Sequence, residues 1–483
     1  MKKTLALILA ILMLLPCLFA CKKDKEDTST PTNDQNASLS PNLDSLANYS
    51  FNGEAFTILT REEFKYELQT KDTVHAINEY VFKRNNAVET KYEVDLKIVT
   101  ASGVWGSRKD YKDKISAAIN GSDQCEFDLI CGAQNQISEY VTEGYFANLN
   151  SINSINFNNQ WWFEGFVDNM TINNKLYFTV GDAGPSLLEN MNVVIFNKDL
   201  CTANNITFPY ETVKANQWTL EQMEIMTEGF VYADQNDNSK ADPDDKFAIV
   251  GGGAMLRGLS TSFEMNITVN DENGYPDVSG FYNERNEEIF DVFQTFLFTD
   301  NRGYFKDDID PIKTFGEKRA LLQFITLADV MKLRQNYEVN YGIVPYPKYD
   351  NAQKDYHTHI YETLTVFTVP VNAASKQESG IILEALGAAS YDCITPKYFE
   401  SILQYRNSQD INSLEMINLA RQKISFNFGF VHGMSINQIH GIFDNMKNGG
   451  YSLTDTWNKR GGNWKDSLSA LLDKYLELEE DDA

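Results

Sequence analysis

The sequence predicts an α/β protein, and three observations carry that prediction. Strand-like runs rich in Val, Ile, Phe and Tyr alternate with helical patterns through most of the chain. The length, 483 residues, suits two or three compact units of about 100 to 200 residues each. The aromatic complement of 6 Trp, 24 Tyr and 30 Phe is enough to fill large cores and still leave rings for a ligand surface, which excludes disorder throughout.

In chain order, residues 55–60 read as a strand and 73–91 as a helix, with Val74, Ile77, Val81 and Val88 among its apolar positions. Then come a strand at 95–99, a helix at 112–119, a strand at 127–131 and a helix at 137–142. Further strands are expected at 176–180, 192–196, 247–251, 341–344 and 363–369. The end of the chain is mostly helical, at 377–389, 396–405, 413–424, 436–446 and 464–478, and no internal repeat is visible.

The first twenty residues stand outside this pattern. Lys2 and Lys3 precede an apolar run over 5–15, and Leu18-Phe19-Ala20-Cys21 closes the segment, so 1–20 is expected to be a signal peptide. The small residue directly before Cys21 makes the pattern resemble the bacterial lipobox, which implies a diacylglycerol on the Cys21 thiol and an extracytoplasmic protein anchored to the bacterial cell membrane. Ordinary secretion with a chance cysteine is the alternative. Residues 21–49 are polar and expected to be a disordered tether.

The charge balance, 68 acidic against 42 basic side chains and a net charge of −26, offers nothing to nucleic acid. Fatty chains contribute about 0.8 kcal/mol per buried CH₂ and can hold so acidic a body at a membrane without basic residues. Cys125, Cys131, Cys201 and Cys393 suggest no disulfide framework. Cys125 and Cys131 flank a strand, and six steps of about 3.3 Å put them too far apart to bridge.

A resemblance becomes specific over several segments. Phe127-Asp128-Leu129-Ile130, leading into a helix that ends Glu143-Gly144-Tyr145-Phe146-Ala147-Asn148-Leu149, resembles the early ligand loop of extracellular solute-binding proteins of ABC importers. Val193-Val194-Ile195-Phe196-Asn197-Lys198-Asp199-Leu200, with Lys175-Leu176-Tyr177-Phe178 before it and Gln217-Trp218-Thr219-Leu220-Glu221 after it, is similar to the crossover segment of that family. Tyr341-Gly342-Ile343-Val344-Pro345-Tyr346-Pro347-Lys348 matches a further stretch in the same order. The resemblance is to the carbohydrate-binding, family 1-like branch. It implies a type II, two-lobed periplasmic-binding-protein-like fold with several chain crossings at the hinge and a helical C-terminal part. By analogy, lobe 1 comprises 50–182 and 327–368, and lobe 2 comprises 187–324 and 372–483.

Sugar binding needs a cleft with oriented polar groups for hydroxyls and flat rings for C–H faces. Loops at the carboxyl ends of strands usually supply them, and these place Gln134, Asn135, Asp182, Asn190, Arg257 and Glu362 as polar candidates. Trp161 and Trp162, adjacent indoles amid Asn158, Asn159 and Gln160, are the aromatic candidates, with packing beneath the loop as the alternative. Trp105 has the same ambiguity, and Trp218 is expected to staple the helix that follows it.

Residues 234–245 carry oxygen side chains at the spacing of an EF-hand-type loop: Asp234, Asn236, Asn238, Asp242 and Asp245, with the Lys240 carbonyl as the backbone ligand. Structural calcium is the expectation. Ser239 in place of glycine and Asp245 in place of glutamate are departures, and a solvated acidic turn is the alternative. The His357-x-His359 pair is read as part of a surface hairpin rather than a metal site.

Nucleophile-elbow, zinc-helix and phosphate-loop motifs do not occur. With the resemblance, this leads to a monomeric, non-enzymatic, lipid-anchored receptor that captures a sugar or oligosaccharide between two lobes and delivers it to an ABC permease. A surface glycoside hydrolase with paired carboxylates is the rival reading, and an adhesion module a third.

Overall fold

Two sheets organise the chain. In the first, Leu129–Ala133 lies between Ala55–Arg61 and Thr365–Thr368, with Asp95–Ala101 at the edge beyond Ala55–Arg61. The first three strands in sequence run parallel and Thr365–Thr368 runs antiparallel to Leu129–Ala133. Leu129–Ala133 is buried at every position, as an interior strand covered on both faces must be. The edge strand Asp95–Ala101 turns Asp95 and Lys97 to solvent, which protects an open edge from pairing.

The second sheet has the order Tyr341–Val344, Asn192–Asn197, Ala320–Thr326, Phe247–Val250, Gly303–Tyr304. Asn192–Asn197 is antiparallel to both of its neighbours, and Phe247–Val250 is parallel to both of its own. The computed structural model describes residues 40–69, 77–228, 230, 233–238, 241–299, 302–405, 408–409 and 411–478. The expected signal peptide, Cys21, most of the expected tether and Lys240 lie outside the described residues.

The chain crosses between the sheets more than once. The first crossing passes through the helix Ser186–Glu189, and the second returns through residues 358–364 beside it. The two are tied together: Asn192 N donates to His359 O at 3.0 Å and Tyr361 N donates to Asn190 O at 2.9 Å. A third passage follows the helix Lys376–Cys393, which packs on the first-lobe helix Asn78–Tyr92, whereas the next helix, Thr395–Leu403, packs on Leu327–Asn336 beside the second sheet.

Four expectations need correction. The segment 327–368 does not belong wholly to the first lobe, because Tyr341–Val344 pairs residue for residue with Asn197 back to Val194 in the second sheet. Nor does 372–483 belong wholly to the second, given how Lys376–Cys393 packs. The tether does not reach residue 49: Pro41–Ser45 is a helix with Leu43 buried, and Ser40 Oγ and Asn42 N both donate to Asp392 of the Lys376–Cys393 helix, at 2.8 and 2.9 Å. Residues 176–180 form no ladder, meeting the first sheet through the bridge between Thr179 and Phe367 and a hydrogen bond from Thr368 Oγ1 to Tyr177 O.

The long C-terminal helix Leu453–Glu477 touches both lobes. It packs against Glu284–Gln294 of the second and the turn Val141–Glu143 of the first. Trp464, Leu468, Leu471 and Tyr475 form its buried stripe, recurring at the three- and four-residue intervals of one helix face. No helix among the described residues is long and apolar enough to cross a membrane.

Candidate functional site

Where the carboxyl ends of the two sheets approach the second crossing, a small enclosed cavity forms. The helix Gln134–Tyr140 begins directly after Leu129–Ala133, so Gln134 and Asn135 stand at the mouth of an interior strand. Their backbone N–H groups donate to Leu364 O at 3.0 Å and Glu362 O at 3.3 Å, fixing that helix start against the crossing. Arg257 enters from the other side, on the helix Leu256–Ser262 that follows Phe247–Val250. The strand exit is tight at Gly251, where an added Cβ would lie 2.5 Å from the Phe305 ring, so only glycine fits.

Arg257 is held between two carboxylates. Its Nε donates to Asp444 Oδ1 at 2.7 Å, its Nη2 to Asp444 Oδ2 and its Nη1 to Glu362 Oε1. Ile360, Phe426, Phe430 and Met434 supply the apolar part of the wall, with Thr261, His359 and His440 beside them. His359 Nδ1 shares a hydrogen bond of 2.9 Å with Thr261 Oγ1. Burial lowers the pKa of both His359 and His440 to about 3, with the Arg257 charge adding to the effect, so both imidazoles are neutral at physiological pH.

Two buried polar atoms here have no hydrogen-bond partner, Asn135 Oδ1 and His359 Nε2, whereas the His440 ring is hydrogen-bonded to the Gly433 backbone. The two come from segments far apart in sequence, and both residues line the cavity. An unsatisfied buried polar group costs about 1 to 3 kcal/mol, so the pair calls for a partner that supplies hydrogen bonds, water or ligand. The cavity measures about 20 Å³, room for roughly one water molecule. Residues 425–440 cover it, with Gln134 Nε2 donating to Val431 O at 2.7 Å.

Of the residues singled out in the sequence, Gln134, Asn135, Arg257 and Glu362 come together at this cavity. Asn190 stands beside it without lining it. Its Nδ2 donates to Ser186 O and its Oδ1 accepts from Thr363 Oγ1, which ties the two crossings to each other. Asp182 is elsewhere, fully buried, accepting from Arg421 Nη2 at 2.8 and 3.0 Å and from Thr395 Oγ1 at 2.9 Å. Trp161 and Trp162 are 3% and 5% exposed and take the packing alternative: Trp162 Nε1 donates to Glu384 at 2.9 Å, and the Trp161 ring fills the space left by Gly387. The His357-x-His359 pair divides, with His357 beside Glu264 near the surface and His359 buried at the cavity, so the surface-hairpin reading fails for His359.

In the acidic loop, Asp234 Oδ1 accepts from the backbone N–H groups of Asn236 and Asn238, and the side-chain amides of both asparagines donate to Asp242 Oδ2. Asp245 is buried and accepts from Gln235 N at 2.8 Å and Asp242 N at 3.0 Å. The oxygens converge, but the amide nitrogens point inward, so a cation would need both amides turned over. Among the described residues, no group of three or more His, Cys, Asp or Glu side chains is placed to hold a metal ion.

No family model matches the chain, and no curated protein does. Solved structures match it in fold. The maltose/maltodextrin-binding domain MalE from Bdellovibrio bacteriovorus, bound to maltotriose, superposes with a TM-score of 0.51 at 12% identity, covering 87% of this chain and 99% of its own. A cyclo/maltodextrin-binding protein complexed with maltotetraose gives 0.54 at 13% identity, over 88% and 97%. M. tuberculosis UspC gives 0.54 at 13% identity, over 86% and 100%. The chain therefore has the two-lobed periplasmic-binding-protein-like fold that its sequence resemblance implies.

Proposed function

We propose that this protein is a sugar-binding receptor of the solute-binding class, held to the membrane by a lipid on Cys21, that hands its ligand to an ABC permease. The observation that carries the reading is the cavity where the two lobes meet, with Asn135 and His359 presenting unpartnered polar atoms among the rings of Phe426 and Phe430. Hydroxyl groups can both donate to and accept from such atoms, and apolar rings suit the C–H faces of a sugar. The maltotriose and maltotetraose complexes of two structural neighbours support the same ligand class.

Binding without bond cleavage is favoured over hydrolysis. Glu362 is the single carboxylate among the described residues that line the cavity, and Arg257 engages it. A glycosidase needs two carboxyl groups flanking the scissile bond. A cavity for one water cannot hold a sugar ring, so ligand entry requires residues 425–440 to shift or the lobes to part. Calorimetry against a panel of mono- and oligosaccharides, with product analysis, tests the reading. Saturable binding with the sugar recovered intact is expected. Hydrolysis that is lost with Glu362→Gln, or no binding across the panel, would overturn it.

A further inference from the structure

The site's charge arrangement says which sugars it takes. Arg257 is the only cation among the described residues that line the cavity, and its charge is already met twice, by Glu362 on one side and Asp444 on the other. All three side chains are withdrawn from solvent, at 12%, 17% and 26% exposure, so water screens them only in part. Two carboxylates against one guanidinium leave the group with one net negative charge.

The remaining polar groups of the wall add no positive charge. Gln134 and Asn135 present amides, Thr261 a hydroxyl, and burial holds His359 and His440 in the neutral form. The nearby Lys447 is occupied by Asp307, with Nζ at 2.7 and 2.6 Å from its two oxygens. Around the site the chain as a whole carries a net charge of −26. An anionic ligand would meet no free cation at the wall and would lie against the negative side of the Arg257 group.

Resting on the carbohydrate reading above, we propose that the site selects uncharged sugars, and that the Glu362–Arg257–Asp444 bridge turns away sugars bearing carboxylate or phosphate. Specificity of this kind comes from a repulsive element built against the wrong ligand as much as from contacts to the right one. Asp444 does not itself line the cavity. It acts by holding the Arg257 guanidinium and cancelling its charge, which makes it a positioning residue.

The test compares matched pairs by calorimetry: glucose with glucuronate and glucose 6-phosphate, galactose with galacturonate, and maltotriose with its aldonic acid. The neutral member should bind at least about tenfold more tightly than its acidic partners, since like-charge juxtaposition in an interface costs several kcal/mol. In the native protein that gap should shrink as salt is raised, because ions screen partly exposed charges. In Asp444→Asn it should shrink at low salt as well, with Arg257 left one negative charge lighter. A salt-independent gap would overturn the charge mechanism. Acidic sugars binding as tightly as neutral ones would overturn this inference and leave the carbohydrate reading standing. Binding of neither class would overturn both.

Discussion

Glu189 gives a stability prediction whose sign and size follow from its surroundings. It ends the short helix of the first crossing, where its carboxylate accepts a hydrogen bond from Tyr66 Oη. Burial raises its pKa from the ordinary 4.5 to about 7; the Tyr66 hydrogen bond pulls it back down in part, and the neighbouring Glu67 charge pushes it further up. Between pH 4.5 and about 7 the folded protein keeps a proton that the unfolded chain releases, so stability falls as pH rises through this window and the loss is complete above it. At about 1.36 kcal/mol per pH unit, the full loss is about 3.4 kcal/mol. Glu189 keeps part of its surface open, which makes that figure an upper bound. Glu189→Gln removes the ionisation. With about 2.1 cal/mol/K of unfolding entropy per residue over roughly 440 residues, the variant should melt up to about 4 °C above the native protein at pH 8. The advantage should vanish near pH 4.5. Melting curves across this range in both proteins test it, and a constant difference between them would refute the assignment of the proton to Glu189.

Asp182→Ala leaves the Arg421 guanidinium without its buried partner and should cost about 3 to 5 kcal/mol, while sugar affinity stays unchanged because Asp182 is not at the cavity. A loss of affinity in a variant that still melts like the native protein would return Asp182 to the binding site. The calcium reading of the 234–245 loop, which requires both amides to turn over, predicts that calcium at about 100 times its Kd stabilises the native protein by about 2.7 kcal/mol and leaves Asp234→Ala unmoved. Equal melting temperatures with calcium and with a chelator would leave the loop as an acidic turn closed by its own amides. Cys21→Ala should abolish lipidation and release the protein from membranes; an unmodified Cys21 in the native protein, with unchanged membrane retention, would count against the anchor.

The two sheets were legible where the sequence marks its own boundaries. Tyr341–Val344 is bounded by Asn340 before it and Pro345 after it, and it appears where expected. Ala320–Thr326, an interior strand of the second sheet, is not marked in this way. It runs straight into the helix Leu327–Asn336 with no glycine or proline between, and a mostly apolar run interrupted by Gln323 fits a buried strand or a buried helix equally well. The local sign of the switch is Thr326, whose hydroxyl accepts from Asp329 N and caps the helix. At the site, Gln134 and Arg257 could be found because both sit just past a strand end. His359, His440, Phe426 and Phe430 could not, because the wall they form is assembled by tertiary packing of the C-terminal segment. Trp161, Trp162 and Asp182 were misplaced for a related reason: their partners Gly387, Glu384 and Arg421 lie more than 200 residues away, and a loop's polarity does not tell which way its side chains turn.

The covering segment also decides how such a cleft can open. Residues 425–440 are bound more firmly on the second-lobe side. Asn427 Oδ1 accepts from Thr268 N at 3.2 Å, Asn427 Nδ2 donates to Thr268 O at 2.7 Å, Gly429 N donates to Thr268 Oγ1 at 2.9 Å, and the Phe430 ring stacks on Phe443. Towards the first lobe the segment has the Gln134 to Val431 hydrogen bond, a hydrogen bond between His432 and the Ser138 backbone, and ring contacts of Phe426 with Phe166 and of His432 with Phe178. A rotation that parts the lobes while the segment stays with the second breaks this smaller set of hydrogen bonds and frees the Gln134 amide. A ligand can contact both walls only when the lobes come back together, so differential affinity for the closed state supplies the drive for closure. The helix Leu453–Glu477, packed on both lobes, limits how far such a rotation can go before its own buried stripe is exposed, at roughly 25 cal/mol per Å² of apolar surface.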